Sequence, residues 1–225
     1  MSSDAMLETI TLKRLLPRVF LGMEQTEKIR SSQIWEEQSF VFDRGCRLCV
    51  QAESGSGKSS LLSFIFGTRT DYKGEICFNG RDIRTLDVEK WCDIRTRTIS
   101  LLPQDMGLFP ELTVIQNIDL KNNRTHHKSH HEIMDYLERV GLQDKSQAQA
   151  GKLSIGQMQR VALVRALCQP FDFIFLDEPV SHLDAHNNQI VAQMISEEAQ
   201  RQGAGIVATS VGNHLMLDDA QFVSL

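Results

Sequence analysis

The sequence predicts an α/β domain: a mostly parallel sheet at the core, an N-terminal antiparallel β part, and an inserted helical lobe. Three observations point there. FDFIFL at 171–176 and GIVATS at 205–210 are nearly all-apolar runs, as strands buried on both faces should be. Strand-like and helix-like stretches alternate along the chain, the pattern of parallel α/β sheets. A glycine-serine loop, AESGSGKSS at 52–60, joins a strand-like segment to a helix-like one.

The elements follow in chain order. Residues 7–12, 40–44 and 46–52 read as short strands. KSSLLSFIF at 58–66 reads as an apolar helix ended by Gly67. In EICFNGRDIR, 75–84, Asn79-Gly80 lies between short apolar runs, which signals a hairpin. TISLLP at 98–103 is strand-like. From about 113 to 168 the chain is polar and helix-leaning. Within it, HHEIMDYLERVGL at 130–142 places Ile133, Leu137 and Val140 on one face, with Gly141 near the end. FVSL closes the chain. No repeat, low-complexity segment or clear linker divides it. We therefore read one domain over 1–225, with its core at 1–104 and 169–225 and the lobe at about 105–168.

With 225 residues, 41% of them hydrophobic, the chain can bury one large core. Its net charge is −5 and it has no basic arm, so nucleic acid is excluded as the main partner. No apolar run approaches the roughly 18–20 residues of a membrane span. The N-terminal MSSDAMLETITLKRLLPRVF has acidic residues and no sustained apolar core, which argues against a signal peptide and for a cytosolic protein. Five scattered cysteines read as reduced thiols. Cys46 and Cys49 spell C-x-x-C, but on a strand they point to opposite faces, which suits neither a zinc nor a redox pair.

The chemistry concentrates in two places. A phosphate loop needs converging backbone N–H groups, a lysine for the outer phosphates and a hydroxyl for Mg²⁺, between a strand and a helix N-terminus. Gly55 and Gly57 leave room for backbone approach, and Lys58 and Ser59 follow in the required order. Ala52 stands where such a loop has its first glycine. The second place is FIFLDEP at 173–179. A buried strand ending in Asp177 puts that carboxylate at the sheet's carboxyl edge, where it can hold Mg²⁺ through water. Glu178 then stands beside the outer phosphate, placed to orient or deprotonate an attacking water. The histidines at 126, 127, 130 and 131 in THHKSHH offer i,i+4 pairs for a metal if helical, but a solvated loop is the favoured reading.

LSIGQMQR at 153–160, with the loop, FIFLDEP and SHLD at 181–184, resembles the nucleotide-binding subunits of ABC transporters over essentially the whole chain. LLPQDMGLFPELTVIQNI at 101–118 is similar to that family's glutamine loop, and 79–118 is similar to the LolD/MacB/FtsE-like bacterial group. The resemblance implies a P-loop NTPase core that binds ATP and Mg²⁺. The loop residues Ala52, Glu53, Ser54, Gly55, Ser56, Gly57, Lys58, Ser59 and Ser60 would wrap the phosphates, with Ser59, Gln104 and Asp177 toward the metal. Glu178 would be the catalytic carboxylate. Ser154, Gly156 and Gln157 would meet the phosphate bound by the other subunit of a homodimer or heterodimer, with Asp184 at the interface. Phe20 is the candidate for stacking on adenine, and Trp35, in a strand-like context, is the runner-up; either also reads as plain core. The partner would be a separate transmembrane permease, bound through the groove near 104–112, with the chain peripheral at the inner face of the cell membrane.

Two further departures bear on activity. Ile155 replaces the signature's middle glycine. Ser210 stands where the family has a histidine after the last core strand. A serine is short and neutral, and losing one electrostatic contact to a transition state costs roughly 10²–10³ in rate. His214, four residues on, reads as opening a helix HLMLDDA. Two readings therefore stay open: a working transport ATPase, or an ATP-dependent dimerising module with weak or partner-dependent hydrolysis.

Overall fold

The computed structural model describes residues 6–225, so the first five residues of the N-terminal stretch lie outside the described ones. The elements are β1 (Thr9–Pro17), α1 (Glu27–Arg30), β2 (Ser39–Asp43), β3 (Arg47–Gln51), α2 (Lys58–Ile65), β4 (Tyr72–Phe78), β5 (Arg81–Asp82), α3 (Val88–Asp93) and β6 (Ile99–Leu102). After them come α4 (Val114–Asn122), α5 (His130–Arg139), α6 (Ile155–Leu167), β7 (Phe173–Asp177), α7 (Ala185–Gln202), β8 (Gly205–Ser210) and β9 (Gln221–Ser224).

Two sheets form. An antiparallel sheet runs β2-β1-β4-β5, and a parallel sheet runs β6-β7-β8-β3-β9. The α/β class with its antiparallel N-terminal part is thus as expected. β4 and β5 are joined through Asn79 and Gly80, both at positive φ, as a tight hairpin turn demands.

β7 shows why its run is apolar throughout. Phe173 and Phe175 face the layer made with β1, β2, β4 and α2, while Ile174 and Leu176 face the helices between β6 and β8. All four are at most 1% exposed. Alternating side chains serve two cores, so no position is left for a polar residue until Asp177.

The helices between β6 and β7 share a start signal. Thr113 with Gln116, Ser129 with Glu132, and Ser154 with Gln157 each form a reciprocal capping box. The apolar face expected on α5 is buried, with Ile133, Leu137 and Val140 at 1% exposure or less.

Two local expectations fail. Trp35 lies in a turn, not a strand, because Ser32 accepts the Trp35 backbone N–H at 2.8 Å and bends the chain; extended structure begins only at Ser39. HLMLDDA is not a helix. Asn188 of α7 bonds the His214 carbonyl at 2.9 Å and accepts the Met216 N–H at 3.1 Å, so the backbone groups a helix would use are engaged across the fold.

Candidate active site

β3 delivers residues 52–57 to the carboxyl edge of the parallel sheet, and α2 opens at Lys58. Gly57 sits at φ 101°, where an L side chain is strained, and an added Cβ would lie 3.2 Å from the Trp35 ring and 3.3 Å from that of Phe20. Both aromatics are buried and form the loop's floor. Trp35 Nε1 also donates to the Ser56 carbonyl at 3.1 Å, pinning the loop from below. Ala52 keeps an ordinary negative φ, and its N–H donates to the Ser210 carbonyl at 3.3 Å. Its methyl therefore adds no backbone strain at the loop's entry.

Lys58 is buried, and its Nζ donates to the Ala52 and Glu53 carbonyls at 3.1 and 3.0 Å. The same Nζ lies 3.8 Å from Glu178 Oε1. The lysine so placed curls the loop around its own charge. Ser59, exposed at the first turn of α2, donates to Gln104 Oε1 in a long contact of 3.4 Å. Gln104 follows β6. Pro17, Val19, Phe20, loop residues 54, 55 and 57–60, Gln104 and Glu178 line one cleft of about 320 Å³.

The opposite wall is held by groups that sequence reasoning missed. Thr209 Oγ1 donates to Asp177 Oδ1 at 2.6 Å and accepts the Glu178 N–H at 3.1 Å. Thr209 is fully buried, a polar residue that with Ser210 closes an otherwise apolar strand, and that anomaly was the available signal. Glu178 itself is at φ 51°, uncommon for a non-glycine. Gln159 of α6 donates to the Glu178 carbonyl at 2.9 Å and accepts the His182 N–H at 3.0 Å, so it grips both ends of that turn. Nothing local in the sequence marks Gln159, because its partners lie about twenty residues downstream.

Other candidate residues sit apart from this cleft. Ser154 caps α6, accepting the Gln157 N–H at 3.3 Å, and Asp184 caps α7, accepting the Asn187 N–H at 2.8 Å. That bond to Asn187 holds the Asp184 carboxyl below its usual range. Gly156 presses on the next turn, where an added Cβ would lie 2.9 Å from the His182 carbonyl. Ile155, beside it, is 50% exposed. Ser210 is buried, and its hydroxyl has no hydrogen-bond partner among the described residues. His214 packs its ring edge-on to Phe222, 5.2 Å between centroids, and does not line the cleft.

The histidine segment is not simply solvated. His130 and His131 are exposed, but His127 Nε2 lies 3.1 Å from Glu198 Oε1. Glu198 also accepts from Lys128, Tyr136, Arg201 and Gln202. Burial alone would raise the Glu198 carboxyl; hydrogen bonds from His127, Arg201, Lys128 and Tyr136 outweigh it and hold that carboxyl well below the carboxylate range. Helix α5 starts only at His130, so the i,i+4 pairing of His126 and His127 does not form.

Whether the cleft suits a magnesium nucleotide follows from its donor set. Gly55 meets nothing within 4 Å of a built Cβ, which leaves open space over the loop. Among the described residues no group of three or more His, Cys, Asp or Glu side chains could hold a metal. Ser59, Gln104 and Asp177 supply few oxygens, as suits an ion completed by phosphate and water. The residues present therefore fit the group.

A family model described as "ABC transporter" matches residues 36–181. The chain is 31% identical over 178 residues to the ABC transporter ATP-binding protein YtrE of Bacillus subtilis (strain 168), covering 77% of each. It is 33% identical over 183 residues to the lipoprotein-releasing system ATP-binding protein LolD of Shewanella frigidimarina (strain NCIMB 400), covering 80% of this chain and 77% of that one. The fold resembles the dimeric structure of MJ0796, described as a bacterial ABC transporter cassette, with TM-score 0.75 and 22% identity over 96% of this chain and 94% of the other. Among the described residues no helix is long and apolar enough to cross a membrane.

Proposed function

The chain belongs to the ABC transporter family as an ATP-binding subunit, and from that premise we propose that it hydrolyses ATP between two cassettes to drive a separate transmembrane permease at the inner face of the membrane. One observation carries the proposal. The phosphate loop with Lys58 and Ser59, Gln104 from after β6, and Glu178 from after β7 line a single cleft.

Each residue then has a task. Backbone N–H groups of 53–60 and the α2 N-terminus hold the phosphates. Lys58 leaves the Ala52 and Glu53 carbonyls for the outer phosphates. Phe20, buried against Gly57, braces the loop and is our candidate for the base-stacking wall, ahead of Trp35, whose indole is committed to Ser56. Glu178, fixed by Thr209 and Gln159, orients the attacking water and accepts its proton. Mg²⁺, held by Ser59, Gln104 and Asp177, would neutralise charge developing on the phosphates.

Ser154, Gly156 and Gln157 line no part of their own cleft. They stand at the N-terminus of a 13-residue helix, suited to an anion presented by a second subunit, identical or not. Exposed Ile155 and Asp184 would be covered by that subunit.

Ser210 favours a second reading, slow or partner-dependent hydrolysis. Its hydroxyl is buried with no partner among the described residues and does not line the cleft. Phosphate release from wild type, Glu178→Gln and Ser210→His, with light scattering for mass, separates the two. Turnover in wild type and an ATP-bound dimer in Glu178→Gln support the first. Turnover only in Ser210→His supports the second. A monomer in every sample despite bound ATP sinks the two-cassette mechanism.

A further inference from the structure

Ser60, the third residue of α2, edges the phosphate cleft, and its hydroxyl is held from outside that cleft. Arg69 Nη1 donates to Ser60 Oγ at 2.7 Å. The arginine stands on the turn after α2, where its backbone N–H donates to the Ser63 carbonyl at 3.3 Å. It does not line the cleft itself.

The guanidinium has little freedom. Nε and Nη2 fork onto the two carboxylate oxygens of Asp71, at 2.9 and 2.5 Å. Its Cζ sits over the buried Phe64 ring, 5.3 Å from the centroid. Hydrogen bonding from Arg69 holds the Asp71 carboxyl below its usual range, so the pair stays charged at neutral pH. Both side chains are about half exposed, at 45% and 48%, and a pair so placed adds little to stability. What the fork does is aim Nη1 at Ser60.

The same segment reaches another wall of the cleft. The Arg18 N–H donates to the Asp71 carbonyl at 2.9 Å, and Pro17 pairs with Tyr72 in the antiparallel sheet. Pro17, Val19 and Phe20 line the cleft. Residues 69–72 therefore tie Ser60 to the wall proposed for the base.

The chemistry lies in the direction of one hydrogen. A serine hydroxyl donates once and accepts through two lone pairs. Arg69 occupies a lone pair, which leaves the hydrogen for another acceptor. Among the described residues the Ser60 hydroxyl donates to none. Accepting from a cation also polarises the O–H and strengthens it as a donor. Had Asp71 reached Ser60 directly, the hydrogen would turn to the carboxylate and the lone pairs would face the cleft, repelling an anion. The intervening arginine reverses this.

We propose that Arg69 is a positioning residue for the nucleotide: braced by Asp71 and Phe64, it fixes the Ser60 hydroxyl as a hydrogen-bond donor to the phosphate nearest the nucleoside. The inference rests on reading the cleft as an ATP site. It adds a residue outside the cleft that governs how tightly nucleotide is held and leaves the hydrolytic step to Glu178.

The test is calorimetric titration of the full chain with ATP and with ADP, alongside steady-state phosphate release. Arg69→Ala should weaken both nucleotides by about ten-fold, and equally, because both carry that phosphate. KM should rise in step while kcat changes less than about two-fold, the mark of binding lost alike from ground and transition states. Arg69→Lys keeps the charge but cannot fork onto Asp71 and reach Ser60 at once, so it should lose about three-fold. Ser60→Ala should lose at least as much as Arg69→Ala, and the double variant no more than Ser60→Ala alone, since one residue acts through the other. Asp71→Asn, which leaves Arg69 and Ser60 in place, should weaken both nucleotides in the same direction by less, and it carries the test if Arg69→Ala does not fold. Unchanged affinity in these variants overturns the inference. So do additive losses in the double variant, which would put Arg69 on the nucleotide itself, a loss for ATP without one for ADP, or a fall in kcat with KM unmoved. If wild type binds neither nucleotide, the ATP reading fails and the inference with it; if wild type binds both and the variants match it, the inference fails alone.

Discussion

Two buried polar clusters in this molecule are built on opposite plans. Around Glu198, five side chains satisfy one carboxylate, and its most buried ion pair, with Lys128, is 2–3% exposed at either end. Around Lys58, bonds run to backbone carbonyls, the ion pair with Glu178 is stretched to 3.8 Å, and the hydroxyls of Ser56 and Ser210 are buried without partners among the described residues. Saturation specifies one arrangement and locks it. Incomplete satisfaction keeps groups ready to exchange partners, at a cost in stability. The first plan ties the His127–Tyr136 segment to α7; the second, on the function proposed above, would be completed by a ligand.

The largest expected effect tests the saturated cluster. Glu198→Ala should destabilise the fold by about 3 kcal/mol, because Lys128 is left buried with only its longer, 3.6 Å pair to Glu132. Urea unfolding measures this, and a loss under 1 kcal/mol would erase the contrast. Its pH dependence has a definite sign. The Glu198 carboxyl is lowered in the folded state, so its contribution is whole above the ordinary carboxylate range and fades as pH falls toward the folded value. Wild type should therefore lose stability in strong acid more steeply than Glu198→Ala.

Next is Lys58→Ala, expected to weaken ATP binding at least about 100-fold, roughly 2.7 kcal/mol, while shifting stability far less. Calorimetric titration decides it, and unchanged affinity would remove the loop from the site. Thr209→Val is intermediate. It keeps shape but strips the hydroxyl from Asp177 and the Glu178 N–H, which should cost roughly 1–3 kcal/mol divided between stability and kcat. A normal kcat with lowered stability would make Thr209 a packing residue only. The smallest effect belongs to Ala52→Gly, below about 0.5 kcal/mol in nucleotide affinity, since Ala52 already has an unstrained backbone. A gain above ten-fold would mean that the methyl does obstruct the loop.

The contrast also explains what could be read in advance. The glycine loop between β3 and α2, the apolar strand expected at 171–176 and found at Phe173–Asp177, and the Asn79-Gly80 hairpin are written in neighbouring residues and were legible. The Glu198 cluster joins positions 71 apart, so His127 looked like one more solvated histidine. Trp35 was placed in a strand because its turn is set by the Ser32 side chain, which hydropathy does not register. The His214 helix was overruled by Asn188, which lies 26 residues earlier. Gln159 had no signal at all until α6 was set against the 178–182 turn. Short-range chemistry is visible in sequence; bonds that close long loops are not.

Lys58 leaves a last consequence. Its ammonium rests on two carbonyls of its own loop, and on the function proposed above those carbonyls would compete with a phosphate for the cation. The affinity measured would then be the intrinsic affinity discounted by the population of this self-occupied loop. The same occupancy gives the buried ammonium partners within its own loop, so release of a product would leave behind a molecule already at rest.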